Sequence, residues 1–328
     1  IRSYIGKGVG NSNATIRFSI TASGLNAMTF QNSKETTFID PYTKNKESYL
    51  VYKKTALPAP EEAFICKFDD FNSKANLTTT NLSLKDDNAD DGVLRTFRLA
   101  VATTGEYSQF HLNYQGIDVL ETDEVKKAAV LSAIVTTMTR VNGIFERDVA
   151  LNMVLVANNK DIIFLDGDLD SFTNDDAEKL IDESQNVIDA TIGTENYDIG
   201  HTFSTGGGGL AQLNSPCTQN GKARGITGSG NPVGDAYDID YVAHEMGHQY
   251  GAHHTFNGEA GNCGGNRSNA TAVEPGSGST IMAYSGLCAP QNVESLSDDY
   301  FHYVSIKEMW ANLTIGNSTC GAVTNINN

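Results

Sequence analysis

Two histidines four residues apart, His244 and His248, lie in the stretch His244-Glu245-Met246-Gly247-His248-Gln249-Tyr250-Gly251-Ala252-His253-His254. On an α-helix they share one face, one turn apart, so both imidazoles reach a single metal ion. Glu245 falls at the edge of that face, placed to hydrogen-bond a water at the metal rather than to complete its ligand set. Gly251 adopts the left-handed conformation cheaply, so it can end the helix and swing the chain back. His254 then returns as a third ligand. Three neutral nitrogens with one open position describe a catalytic zinc ion rather than a structural one. Five fixed residues match by chance in a chain this long with odds on the order of one in ten thousand. His253 is off the ten-residue spacing and is read as a flanking residue.

This stretch resembles the metzincin zinc endopeptidases. Downstream, Thr280-Ile281-Met282-Ala283-Tyr284 is similar to the family's Met-turn, whose methionine, here Met282, lies beneath the zinc. Tyr284 stands at the spacing from which, in some branches, a tyrosine approaches the metal and stabilises the transition state. Thr255 follows the third histidine, where adamalysins carry aspartate and astacins glutamate. With the stretch Phe97 to Phe110 and the glycines at 206–209, the chain looks most like bacterial secreted reprolysin-like proteases. The resemblance implies an α/β (α+β) catalytic domain with a twisted mixed sheet, long helices and an active-site helix. It also implies one Zn2+, Glu245 as general base, and protein or peptide substrates. In that family the region of Gly208, Gly209, Leu210 and Ala211 forms an edge strand and rim. An edge offers free backbone donors and acceptors to an extended peptide. The four glycines could instead be a flexible loop; no Lys-Ser/Thr follows them, so they are not a phosphate cradle.

The elements that must position these residues lie within 328 residues, enough for one large domain or two smaller ones, and 39% apolar residues suffice for a core. The formal net charge of −17 excludes a nucleic-acid partner, which needs a basic footprint. No apolar run approaches the roughly 20 residues that span a bilayer, so no membrane partner is expected. The chain begins at Ile1 rather than Met, so a processed or truncated product is expected, and the protein is expected to be secreted. Five cysteines leave one over if disulfides form: Cys217, Cys263, Cys288 and Cys320 surround the motif, and Cys66 is far upstream. The preferred pairing is Cys263 with Cys288 and Cys217 with Cys320. Connectivity stays open, as do reduced, buried cysteines in a reducing compartment.

Residues 1–88 read as a β-rich unit with an exposed linker, and residues 89–328 as the catalytic unit. Ile16, Phe18 and Ile20 alternate with polar residues, as do Phe64, Cys66 and Phe68; Met28–Phe30, Phe38-Ile39 and Tyr49–Tyr52 are further short runs. Residues 69–92 are rich in Asn, Thr and Asp, a linker open to proteolytic nicking. Phe97, Leu99 and Val101 mark a strand. Thr122 caps a long helix with the stripe Val125, Ala128, Leu131, Val135, Met138, Val141 and Phe145. A second helix carries Leu180, Ile181, Val187, Ile188 and Ile192, stopped by Gly193. Asp238 or Asp240 is expected to cap the active-site helix, and Ser305-Ile306-Lys307-Glu308 to form a capping box opening the last one. The run Asp166-Gly167-Asp168-Leu169-Asp170 suggests Ca2+ but lacks the later glutamate of a calcium loop; a solvated acidic turn is expected, and calcium is not supported.

The first unit resembles a pro-domain. A Cys66 thiolate could fill the open fourth position and displace water, leaving a latent zymogen with its own pro-domain as inhibitor. The surroundings of Cys66 do not match the cysteine-switch signatures of matrixins or adamalysins, and a plain core cysteine is the alternative. An inactive homologue that binds peptides, or a zinc hydrolase of non-peptide substrates, are the other readings kept open.

Overall fold

The computed structural model describes residues 2–31, 34–57, 66, 89, 91–206 and 208–326. An antiparallel meander opens the chain: β1 (Arg2–Lys7), β2 (Thr15–Thr21), β3 (Gly24–Gln31), β4 (Lys34–Pro41) and β5 (Tyr49–Lys53), in that spatial order. The expected strand around residues 64–68 falls outside the described residues except Cys66, as does most of the linker. A second, mixed sheet follows. Its path is β11 (Ala322–Asn325), β6 (Val93–Thr103), β8 (Ile199–Ser204), β10 (Gly225–Gly228) and β9 (Gly209–Ala211), with β7 (Leu151–Leu155) also paired to β6. β6, β7, β8 and β10 run parallel, and β9 turns back antiparallel along β10 to form the edge.

α1 (Gly105–Gln115) and α2 (Asp123–Val149) cross from β6 to β7, α3 (Ala177–Ile192) crosses from β7 to β8, and α4 (His244–Gln249) and α5 (Tyr303–Thr314) follow β10. Thr122 caps α2 through its hydroxyl, which accepts from the Val125 amide at 3.4 Å. Phe97, Leu99 and Val101 of β6 pack with Met138, Val141 and Phe145 of α2, while Ala100 and Ala102 on the other strand face meet Leu180, Ile181 and Ile188 of α3. Met28 and Phe38 of the meander join the same core from the far side of α2. A Cβ on Gly143 would sit 3.1 Å from the Met28 sulfur, so this glycine marks where β3 approaches α2 closely. α2 is therefore covered by a sheet on each side. That corrects the reading that no segment is apolar enough to span a bilayer: α2 passes by length and composition, and 78% of its most apolar window is buried in the fold. Val125, read as part of its buried stripe, is exposed.

Two caps differ from expectation. α5 opens at Tyr303 with His302, not Ser305, as its cap; Glu308 is engaged instead by His253, whose Nδ1 lies 2.8 Å from it. Asp238 and Asp240 do not cap α4. They lie within a π-helical turn, Ala236–Ala243, that leads directly into α4, and both are held by buried cations.

Candidate metal centre

α4 is short, and its orientation comes from its flanks. Tyr237, Ile239, Val242, Ala243 and Met246 are buried in the main core, which rolls His244 and His248 towards the face that looks along β9. Gly251 has φ +106°, the left-handed region, and a Cβ there would come within 2.4 Å of the Asn214 side chain. The chain reverses at Gly251, the Ala252 amide bonding back to the Gly247 carbonyl at 2.9 Å. That reversal returns His254 to the other two histidines.

The three Nε2 atoms converge: His244 to His248 is 3.1 Å, His244 to His254 is 3.3 Å, and His248 to His254 is 3.2 Å. Each Nδ1 meets a backbone carbonyl at 2.7 Å, that of Ile281, Ala252 and Asn266 respectively. A carbonyl only accepts, so each Nδ1 carries the proton and each Nε2 presents a lone pair. Burial lowers all three pKa values, His244 to about 4 and the other two well below their ordinary range, so the rings are neutral at neutral pH. Three buried lone pairs facing one another at these distances repel unless a cation lies between them. Two nitrogens bound to zinc at about 2.0–2.1 Å in a tetrahedron lie about 3.3 Å apart, so the donor set fits that ion. The Cys66 sulfur lies 3.9 Å from Nε2 of both His248 and His254, and the four ligand atoms fall within 4.8 Å of one another.

Glu245 is buried beside this cluster, and burial pushes its carboxyl up to about 8, with a small opposing pull from the Cys66 thiol. Neither carboxylate oxygen has a full hydrogen bond; the thiol, a weak donor, touches the group without satisfying it. Met282 is buried below α4, and a Cβ on Gly247 would fall 2.5 Å from its sulfur. Tyr284 meets His254 edge-on at 4.6 Å between ring centroids, and its hydroxyl donates to the Cys66 carbonyl at 3.1 Å. Gly209, Leu210 and Ala211 form the edge strand with Gly208 just before it, and Gly209 bridges Cys66 in parallel sense. Disulfides join Cys217 to Cys320 and Cys263 to Cys288, and Cys66 takes part in neither. Asp166, Asp168 and Asp170 form a local turn in which Asp170 accepts from the amides of Gly105 and Phe172.

Several contributors carried no readable signal. The three carbonyls that orient the histidines belong to residues of unrelated types. Glu274 braces the Met-turn by accepting from the amides of Ser279 and Thr280 and the hydroxyl of Thr255, and nothing in its neighbourhood announces this.

The mixed sheet, the short helix with its glycine reversal and the three-histidine cluster above the buried methionine define a metzincin-type zinc metallopeptidase. Residues 93–310 match the model of metallo-peptidase family M12B, reprolysin-like, and the chain belongs to that family. In the crystal structure of myroilysin it has a structural relative with 12% sequence identity and a TM-score of 0.35, the overlap covering 78% of this chain and 92% of that one. No curated protein matches the sequence.

Proposed function

We propose that the chain is a secreted endopeptidase in a latent form, with His244, His248 and His254 as zinc ligands and Cys66 as the fourth. The observation that carries the zinc reading is the three Nε2 lone pairs at 3.1–3.3 Å, each fixed by an Nδ1–H bound to a carbonyl. A zinc ion there supplies a Lewis acid that polarises a peptide carbonyl and acidifies water.

The chain's own residues do the rest. The β9 edge, Gly208 to Ala211, pairs an extended substrate through its free backbone groups and brings the scissile carbonyl above the histidines. Glu245 takes a proton from the attacking water at its carboxylate and passes it to the leaving amide nitrogen. Tyr284 donates its hydroxyl proton in a hydrogen bond to the developing oxyanion once Cys66 has left. The pairing of Cys66 with Gly209 supports the latent reading, because Cys66 then lies on the strand a substrate would use. Residues 1–88 act as pro-domain and inhibitor, released by cleavage in the linker. The disulfides favour an oxidising, extracellular setting.

Glu245→Ala tests the assignment. Metal analysis is expected to find one zinc per chain in both parent and variant, while cleavage of a casein substrate by the processed variant falls about 100-fold or more. Undiminished turnover overturns the role of Glu245.

A further inference from the structure

Away from the histidines, the 3-10 turn Lys54–Ala56 after β5 pushes a lysine into the second unit. The Lys54 ammonium lies 3.0 Å from Asp235, 2.7 Å from Asp240 and 2.8 Å from Asp299. All three carboxylates are nearly or fully buried, and so is the lysine. Asp235 is only 1% exposed and aims into the socket, yet neither of its oxygens has a hydrogen-bond partner of good geometry. Asp240 accepts the Ser297 amide at 3.2 Å through its other oxygen. One ammonium thus faces three carboxylates, an excess of two negative charges if all ionise. Burial raises the pKa of Asp235 and Asp240, with Lys54 pulling the other way.

We propose that the Asp235–Asp240–Asp299 socket is a calcium site that Lys54 plugs while the N-terminal unit is docked. Calcium takes hard oxygen ligands and tolerates irregular geometry; its bonds of about 2.3–2.6 Å draw the oxygens in by a few tenths of an ångström from their ammonium spacing. Water completes the coordination from an adjoining cavity of about 530 Å³ lined by Lys54, Ser297 and Asp299. The physiological exchange rests on the reading that residues 1–88 leave; the socket's affinity for calcium does not. Departure of the unit would exchange a monovalent plug for a divalent ion, and the processed chain would become calcium-stabilised. The site is distinct from the Asp166–Asp170 turn, in which the Asp166 and Asp170 carboxylates accept backbone amides.

Lys54→Ala in the full chain empties the socket and touches no group assigned to the zinc centre. Adding about 10 mM CaCl2 to calcium-free buffer is expected to raise the Tm of this variant by about 2 °C or more beyond any rise in the parent. Elemental analysis then finds one more calcium per chain than in the parent, and Lys54→Ala/Asp235→Asn loses the extra rise. Lys54→Met, which keeps the length of the stem, is expected to respond in the same direction. Equal calcium responses in Lys54→Ala, Lys54→Met and parent overturn the site. If either variant fails to fold without calcium, recovery on refolding with calcium supports the site, and equal failure with and without it overturns it. No readout involves hydrolysis, so failure of the protease assignment and failure of this one are separable.

Discussion

The hydroxyl of Tyr284 donates a 3.1 Å hydrogen bond to the backbone carbonyl of Cys66, while the thiol of the same cysteine lies 3.9 Å from two of the clustered histidines. Cys66 is therefore held at both ends of the residue, its side chain by the ligand cluster and its backbone by a tyrosine of the Met-turn. Gly209 adds a third point through the β-bridge. The three contacts come from three separate stretches of the chain, all more than 140 residues beyond Cys66.

If the chain is latent as proposed, its latency should depend on two separable interactions. A hydroxyl is a far poorer zinc ligand than a thiolate. If the exchange costs more than about 1.4 kcal/mol, Cys66→Ser raises the open fraction of the unprocessed chain tenfold or more, read as hydrolysis of a fluorogenic peptide before any linker cleavage. Tyr284→Phe removes one hydrogen bond of about 1 kcal/mol and gives about a fivefold rise in the same assay. After processing the two diverge: Cys66→Ser matches the parent, whereas Tyr284→Phe has a lower kcat. A Cys66→Ser chain as silent as the parent would show the cysteine to be core packing only.

Much of this centre was legible because its spacing is set by helix geometry. The four-residue histidine pair, the glycine reversal and the third histidine follow from pitch and from left-handed φ, and all three Nε2 atoms meet as that reasoning requires. What was not legible depends on partners distant in the chain. Lys54 is the second of two adjacent lysines before a proline-broken stretch, and only the fold brings Asp235, Asp240 and Asp299 around it. The failed cap at Asp238 has the same origin: Arg140, from α2, claims that carboxylate at 2.7 Å. α1 escaped notice for another reason. Its polar sequence gives no clear apolar stripe, although Thr104, whose hydroxyl accepts from the Tyr107 amide at 3.2 Å, and Gly116, with φ +70°, are ordinary start and stop residues.

The close approach of Gly247 to Met282 makes a packing prediction. A Cβ at Gly247 would stand 2.5 Å from the methionine sulfur, with Phe301 at 3.2 Å on the same side. Overpacking of this kind costs about 1–3 kcal/mol, offset in part by the better helix propensity of alanine. Gly247→Ala is expected to lower the denaturant midpoint with an unchanged m-value, and Gly247→Ala/Met282→Ala to be less destabilised than the sum of its two single changes, because the new methyl group no longer meets the sulfur. A midpoint equal to the parent's would mean that the thioether swings aside freely.

Arg140 of α2 ties the N-terminal meander to the turn that leads into α4. Its guanidinium bonds Asp40 of β4 at 2.6 Å and Asp238 of the π-helical turn at 2.7 Å, itself almost fully buried. Removing the cation leaves two carboxylates without their partner, for which about 3–5 kcal/mol is usual in buried pairs. Arg140→Met is thus expected to cost far more than Arg140→Met/Asp40→Asn/Asp238→Asn, in which the orphaned charges are also gone. Chemical denaturation of the three chains tests this; a triple variant no more stable than the single one would place the cost in packing rather than charge.

His111 of α1 supplies the pH prediction, because it titrates away from the zinc centre. It is buried beside the Tyr107 ring at 4.4 Å, its Nε2 has no hydrogen-bond partner, and burial pushes its pKa down to about 3 despite a hydrogen bond to the Pro232 carbonyl. The unfolded imidazole titrates near 6.5. Below that value the unfolded chain takes up a proton that the native chain refuses, so this contribution to stability is complete above about pH 6.5 and is lost as pH falls towards 3. His201, lowered to about 4 by burial, acts in the same sense. Asp235 and Asp240 act oppositely: their raised values favour the native state at low pH, a contribution lost as pH rises from about 3.8 through those values. His111→Phe removes the first effect alone and keeps an aromatic ring against Tyr107. Its Tm is therefore expected to fall less than the parent's between about pH 6.5 and pH 4. Parallel Tm curves for the two chains over that range would place the acid sensitivity elsewhere, with His201 the next residue to replace.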